Sequence, residues 1–141
     1  MIISTKIRYG LRALLEIAKV NPGEGVMQKD ISERQDISNK YLDHIIRDMK
    51  AANIICNQKL KKSGYKLKMP ASEITVYTIY QAFEDELCLV ECIENKGCKL
   101  LDSCQSVPVW RELNSRMIDF MKSITLQDII EGKDLSLIQV R

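Results

Sequence analysis

Met27-Gln-Lys-Asp-Ile-Ser-Glu-Arg-Gln-Asp-Ile-Ser38-Asn-Lys-Tyr-Leu-Asp-His-Ile-Ile-Arg-Asp-Met-Lys-Ala51 decides the fold. Its first part, Met27 to Arg34, reads as a short helix. Gln35-Asp-Ile-Ser38 turns the chain, and Ser38 is placed to cap a second helix from Asn39 to Ala51. Leu42, Ile45, Ile46 and Met49 recur at i, i+3, i+4 and i+7, so one face of that helix is apolar. The other face carries Lys40, Asp43, His44, Arg47 and Lys50. A short helix, a tight turn and a helix with a polar outer face make a helix-turn-helix pattern. In that motif the second helix enters the major groove with its N-terminal residues at the base edges. Asn39, Lys40, Tyr41, Asp43, His44 and Arg47 are therefore the candidate DNA contacts.

Upstream, Ser4 is a candidate cap for an opening helix. Ile7, Leu11, Leu14, Leu15 and Ala18 follow at helical spacing, and Asn21-Pro-Gly-Glu-Gly25 stops the helix. Arg8 and Arg12 lie one turn apart, suited either to phosphate or to an acidic neighbour. Downstream, Ile54 to Gln58 and Tyr65 to Met69 read as the two strands of a hairpin, because Tyr65, Leu67 and Met69 alternate with Lys66 and Lys68. Lys59, Lys61 and Lys62 stand beside the Ser63-Gly64 turn. A basic hairpin after a helix-turn-helix fits a wing along the DNA backbone or in the minor groove. Cys56 alternates with apolar neighbours and is expected to be a small buried residue.

Charge agrees with this division. The net charge is +2, but residues 1–70 hold 14 Lys and Arg against 7 acids, while residues 71–141 hold 7 against 12. A basic N-terminal half suits a polyanion. An apolar content of 45% is enough for a core. No stretch reaches the length of about 20 apolar residues that spans a bilayer. The opening residues lack the layout of a signal peptide, so the expected location is the cytoplasm.

Pro70 to Glu73 marks a boundary. A helix is expected from Val76 to Leu87, with Val76, Ile79, Tyr80, Phe83 and Leu87 on one face. It leads to Cys92-Ile-Glu-Asn-Lys-Gly-Cys98-Lys-Leu-Leu-Asp-Ser-Cys104, three thiols at equal steps on a turn-forming segment. The chain has 5 cysteines, an odd number with no secretion signal. That favours metal or redox chemistry over a disulfide framework. Iron–sulfur clusters commonly use four thiolates, and structural zinc uses closer pairs such as Cys88-x₃-Cys92. On residue types alone a cluster, zinc and a bare thiol switch all remain open. After this segment, Pro108 opens a long helix. Trp110, Leu113, Met117, Phe120 and Ile124 form an apolar seam, too short to stand alone and suited to a second copy of the chain. Leu126 to Ile130 is a short terminal turn.

These motifs together resemble the winged-helix regulators of the IscR and NsrR type, over nearly the whole chain. The carriers are Ser4-Thr-Lys-x-Arg-Tyr-Gly-Leu-Arg-Ala13, Asp30 to Ser38 with Tyr41-Leu42, and the three cysteines with Val109-Trp110-Arg-Glu-Leu113. Phe120 to Leu126 resembles the end of the family's dimer helix. The resemblance implies a homodimer that binds a pseudo-palindromic operator. It also implies a 2Fe-2S or 4Fe-4S cluster on Cys92, Cys98 and Cys104 that reads redox state, iron–sulfur status or nitric oxide. Family members add a fourth ligand, from a histidine after the third cysteine or an acid in the opening helix. Here those positions are Val107 and Arg8, neither of which ligates. Cys88 is the candidate fourth thiolate, with Glu91, Glu94, Asp102 or an exogenous ligand as alternatives. The single histidine, His44, belongs to the recognition helix.

The expected architecture is mainly α with a small β wing: a winged helix-turn-helix domain over 1–69 and a connecting helix and cysteine loop over 70–107. The dimerisation helix and short terminal turn follow over 108–130, and 131–141 is a loose tail. The expected function is transcription regulation by a homodimer on double-stranded DNA. The rivals are a winged-helix regulator with zinc or a thiol switch, and an iron–sulfur carrier binding an acidic protein. No phosphate loop or nucleophile elbow supports an enzyme.

Overall fold

The described residues form three α-helices, a two-stranded antiparallel hairpin and three further α-helices, with short 3₁₀ turns at Glu91–Glu94 and Leu135–Leu137. The computed structural model describes residues 3–21, 23–59, 64–94 and 97–140. Helix α1 spans Thr5–Ala18, and the Ser4 hydroxyl accepts a hydrogen bond from Ile7 N at 3.3 Å. This satisfies one of the helix's orphan donors. Its buried stripe includes Ile7, Ala13, Leu14 and Ile17, while Leu11, Leu15 and Ala18 flank it, half-buried. The inward face is thus turned slightly from the one expected.

Helix α2, Gln28–Gln35, ends at Asp36, whose φ of 51° is left-handed. The Ser32 hydroxyl donates to Ile37 O at 2.6 Å, and Ile37 is buried. These two features make the tight turn. Helix α3, Asn39–Ala51, starts on Ser38, whose hydroxyl accepts from Tyr41 N at 3.2 Å. Leu42, Ile45, Ile46 and Met49 all enter the main core, with Leu14, Ile31, Ile54, Ile74, Ile79 and Leu126 among their companions.

The hairpin pairs β1 (Ile55–Asn57) with β2 (Tyr65–Leu67), in the register Ile55 to Leu67, Cys56 to Lys66 and Asn57 to Tyr65. Val26 adds a bridge on the far side: its N–H donates to Tyr65 O at 2.9 Å and Tyr65 N–H returns a bond at 2.8 Å. Gly64 sits against this bridge. A Cβ there would collide with the Val26 carbonyl and come within 2.8 Å of Met27 N. Cys56 is half-buried rather than enclosed, since the face it shares with Lys66 opens to solvent.

Helix α4 covers Val76–Phe83 and stops one turn short of the expected end, with Glu84 extended. Glu84, Asp85 and Glu86 follow in a row at the negative end of the helix dipole, where acids are unfavourable. Cys88 therefore lies in the segment after α4 and Cys92 in the 3₁₀ turn at Glu91–Glu94, not one turn apart on a common helix. Tyr77 rather than Tyr80 is the buried aromatic of α4.

Helix α5 spans Val107–Ser123 and α6 spans Leu126–Ile130. Between them the chain pairs with the segment before α4: Val76 N–H donates to Ile124 O at 2.9 Å and Leu126 N–H to Ile74 O at 2.8 Å. The end of α5 is thereby fixed to the N-terminal body. Asp128 and Thr125 form a reciprocal capping box on α6. The Thr125 bonds and Lys133 hold the Asp128 carboxyl below the ordinary aspartate range. The last segment is not wholly irregular: Asp134 caps a 3₁₀ turn at Leu135–Leu137, though that turn is exposed.

Candidate functional site

The outer face of α3 presents Asn39, Lys40, Asp43, His44 and Arg47 to solvent. Gln28, at the start of α2, braces this face. Its side-chain amide donates to Asp43 Oδ1 at 2.7 Å and to Asn39 O at 3.0 Å. Arg47 Nη2 and His44 Nδ1 are 3.1 Å apart. Tyr41 is placed differently from its neighbours. It is half-buried and meets Tyr9 edge-on with ring centroids 5.6 Å apart, so most of its surface anchors α3 to α1.

Arg12 also turns inward. Its guanidinium donates to Gln35 Oε1 at 3.0 Å and to the Gln35 carbonyl, and it lies over the Tyr9 ring. Gln35 in turn donates to the buried Glu16 at 2.6 Å, and Arg34 pairs with Glu16 at 3.6 Å. These bonds lock α1 to the end of α2, which leaves Arg8 as the exposed arginine of that pair. Signals for Gln28 and Gln35 were weak in the sequence, because both are single amides outside any spacing pattern.

Beside α3, Lys50, Lys59, Lys66 and Lys68 line one open depression together with Cys56, and its described lining contains no acid. Lys68 Nζ donates to Asn53 Oδ1 at 2.8 Å, and Lys50 lies 5.1 Å from the centre of the Tyr65 ring. Lys61 and Lys62 lie outside the described residues.

The cysteine segment lies between α4 and α5. Cys92 is half-buried within a 3₁₀ turn at Glu91–Glu94, and Cys98 is exposed. Cys104 is half-buried with its Sγ 3.1 Å from Ser106 Oγ. That hydroxyl bond holds the Cys104 thiol below its ordinary pKa. Cys88 Sγ donates to Val90 O at 3.1 Å. No disulfide joins the five cysteines. Among the described residues, no three His, Cys, Asp or Glu side chains are gathered as a metal cage. Glu91, Glu94 and Asp102 are exposed around the segment.

Helix α5 has two faces. Outward it exposes Val109 (58%), Trp110 (38%), Leu113 (45%) and Phe120 (40%), an apolar strip on an otherwise polar helix. Met117 packs, half-buried, on the small cluster of Tyr77, Leu87 and Met121. Ile124 corrects the expected seam: it is 5% exposed, because its backbone pairs with Val76 and its side chain fills the chain's own interior. Val109, outside the heptad spacing, takes its place in the strip. Inward, Asn114 hydrogen-bonds the segment entering the cysteines.

A family model described as Rrf2, iron-dependent transcriptional regulator, matches residues 3–132. The chain belongs to the Rrf2 family of transcription regulators. IscR of Pectobacterium carotovorum is 30% identical over 135 residues, covering 96% of this chain and 82% of its own. CymR of B. subtilis, described as a global cysteine regulator, superposes with a TM-score of 0.77 at 23% identity, covering 95% of this chain and 99% of its own. The oxidized form of Staphylococcus aureus CymR has a TM-score of 0.73 at 28% identity, covering 95% of this chain and 99% of its own. Membership of the Rrf2 family makes the protein a DNA-binding winged-helix transcription regulator and not an enzyme. No helix of the described residues is long and apolar enough to cross a membrane.

Proposed function

We propose that this Rrf2 regulator acts as a cytoplasmic homodimer whose operator affinity is set by the state of Cys92, Cys98 and Cys104. The observation that carries the reading is the placement of three free thiols, Cys98 exposed and Cys92 and Cys104 half-buried, in the segment leading to a helix that exposes Val109, Trp110, Leu113 and Phe120. An apolar strip of this kind suits a second copy, which places two α3 helices about one DNA turn apart on a pseudo-palindrome.

The donor set fits an iron–sulfur cluster in its chemistry: three soft thiols, none of them in a disulfide. Cys92, Cys98 and Cys104 would hold it, either as 2Fe-2S or 4Fe-4S. When bound, such a cluster supplies redox-active iron open to small ligands. The chain's own part is to supply the thiolates, and Ser106 favours the thiolate of Cys104. Cys88, with Glu91, Glu94 and Asp102 as alternatives, is the protein side of a fourth position. Anaerobic preparation followed by iron, sulfide and zinc analysis tests this. We expect iron and sulfide in the wild type and loss of most of both in Cys98→Ser. Zinc alone, or no metal from an iron-replete preparation, would remove the cluster.

A thiol switch is the second reading. The lowered pKa of Cys104 and the existence of an oxidized form of the S. aureus relative support it. Peptide mapping after mild oxidation would then find Cys104 in a disulfide while iron is absent.

On DNA, Asn39, Lys40, Asp43, His44 and Arg47 face the bases, and Tyr41 supports them. Lys59, Lys61 and Lys62 contact phosphate. Substituting Lys40 or His44 should change which sequences a random pool yields. Lys59→Ala should weaken all sequences alike and reduce the salt slope by about one charge. Equal slopes in wild type and variant would remove Lys59 from the backbone contacts.

A further inference from the structure

Asn114 stands on the inward face of α5, at steps of seven from Val107 and Met121, both of which are buried. At the corresponding place in the repeat it presents an amide instead of an apolar group. Its Oδ1 accepts the Leu89 N–H at 2.9 Å, and its Nδ2 donates to Leu87 O at 3.1 Å. An amide so placed does for Leu87–Leu89 what a neighbouring strand would do: it fixes both position and register. The segment needs such a partner, because α4 has ended at Phe83 and Glu84 has turned to extended backbone. Leu87 itself is buried against Tyr77 and Met121. The clamp flanks Cys88 on both sides and lies three residues before Cys92. Next to it lies an open groove lined by Cys88 and Ile93 from the cysteine segment and by Arg111 and Ser115 from α5.

The same helix carries the exposed apolar strip on its outer side. Beyond its far end the chain pairs with Ile74 and Val76, and Leu126 and Ile74 are buried in the main core with Leu14, Leu42 and Ile45 of the DNA-binding body. We propose that Asn114 is the positioning residue that couples the cysteine segment to α5, and through α5 to the DNA-binding body. This rests on the reading of the cysteine segment as the sensor. A shift of Leu87–Leu89 must either carry α5 with it or leave the Leu87 carbonyl and Leu89 amide without their partner. Leaving these partly buried polar groups unpaired costs free energy, so the helix follows the segment. The coupling is a property of two hydrogen bonds, and it disappears when they do, even if the fold remains.

The test compares wild type, Asn114→Ala, Asn114→Asp and Met121→Ala. Met121→Ala loosens the packing beneath Leu87 but leaves both hydrogen-bonding groups of Asn114 in place, and so controls for stability. For each, the dissociation constant for a selected DNA fragment is measured in the anaerobically isolated state and after oxidation and chelation. Amide exchange along Val107–Asn114 is followed in both states. The wild type and Met121→Ala are expected to show the same affinity ratio between states and a change in α5 exchange. In Asn114→Ala the ratio should fall to within about twofold of one, α5 exchange should no longer respond, and thiol and metal content should be unchanged. Asn114→Asp keeps the acceptor but not the donor and should fall between. A wild-type ratio retained in Asn114→Ala overturns the inference alone. A wild-type ratio of one overturns the sensing reading and the inference together.

Discussion

Gly64→Val should cost about 3 kcal/mol of folding stability, roughly 10 °C in melting temperature for a chain of this length. The reason is backbone crowding, not a side chain that can swing away. A Cβ at Gly64 meets the Val26 carbonyl and lies 2.8 Å from Met27 N, across the pair of bonds joining Val26 to Tyr65. Relief requires the bridge to open, and with it the base of the wing. Gln58 N–H also donates to Gly64 O at 2.9 Å, so displacement spreads into the strand that leads to Lys59. DNA affinity should fall roughly tenfold as the wing lysines lose their placement. Thermal melting and DNA titration check both effects. An unchanged melting temperature would mean that the Val26 bridge is not part of the folded wing.

Leu42→Ala should cost about 3–4 kcal/mol. Leu42 is fully buried beneath the recognition surface, among the residues of the main core. Removing three carbons there leaves a space that neighbours on α1, α2 and α3 cannot fill without moving helices. Against a typical total of about 5–15 kcal/mol, this is a large fraction. Lys40→Ala, two residues earlier on the exposed face, should stay within about 0.5 kcal/mol. Urea denaturation of the two variants separates them. Equal midpoints would contradict the assignment of the two faces of α3.

The helix-turn-helix was legible because its determinants are local. Ser38 caps α3, Leu42, Ile45, Ile46 and Met49 mark its inner face, and both are printed in the order of the residues. The hairpin was legible for the same reason, through alternation from Tyr65 to Met69, although Val26 as its third member was not. The length of α4 was misread because apolar Leu87 continued the helical spacing past three consecutive acids. Electrostatics at the helix end outweighed the pattern. Ile124 was assigned to a dimer seam on spacing alone. Its burial comes from pairing with Val76, some 48 residues earlier, and such a contact leaves no local trace. Asn114 left a trace that is easily passed over: a polar residue at a position where the seven-residue repeat calls for an apolar one. In the cysteine segment, the spacing of Cys92, Cys98 and Cys104 pointed to a shared role. Their accessibility and the Cys104–Ser106 bond were visible only in three dimensions.

The most direct test of the account is the affinity of the protein for a DNA fragment selected from a random pool, measured anaerobically before and after the cysteine segment is oxidised and stripped of metal. Wild type should show a clear change in dissociation constant between the two states, at least about fivefold. The Cys98→Ser variant should show a single affinity under both conditions while melting as the wild type does. The same affinity for wild type in both states would contradict a regulator governed by Cys92, Cys98 and Cys104.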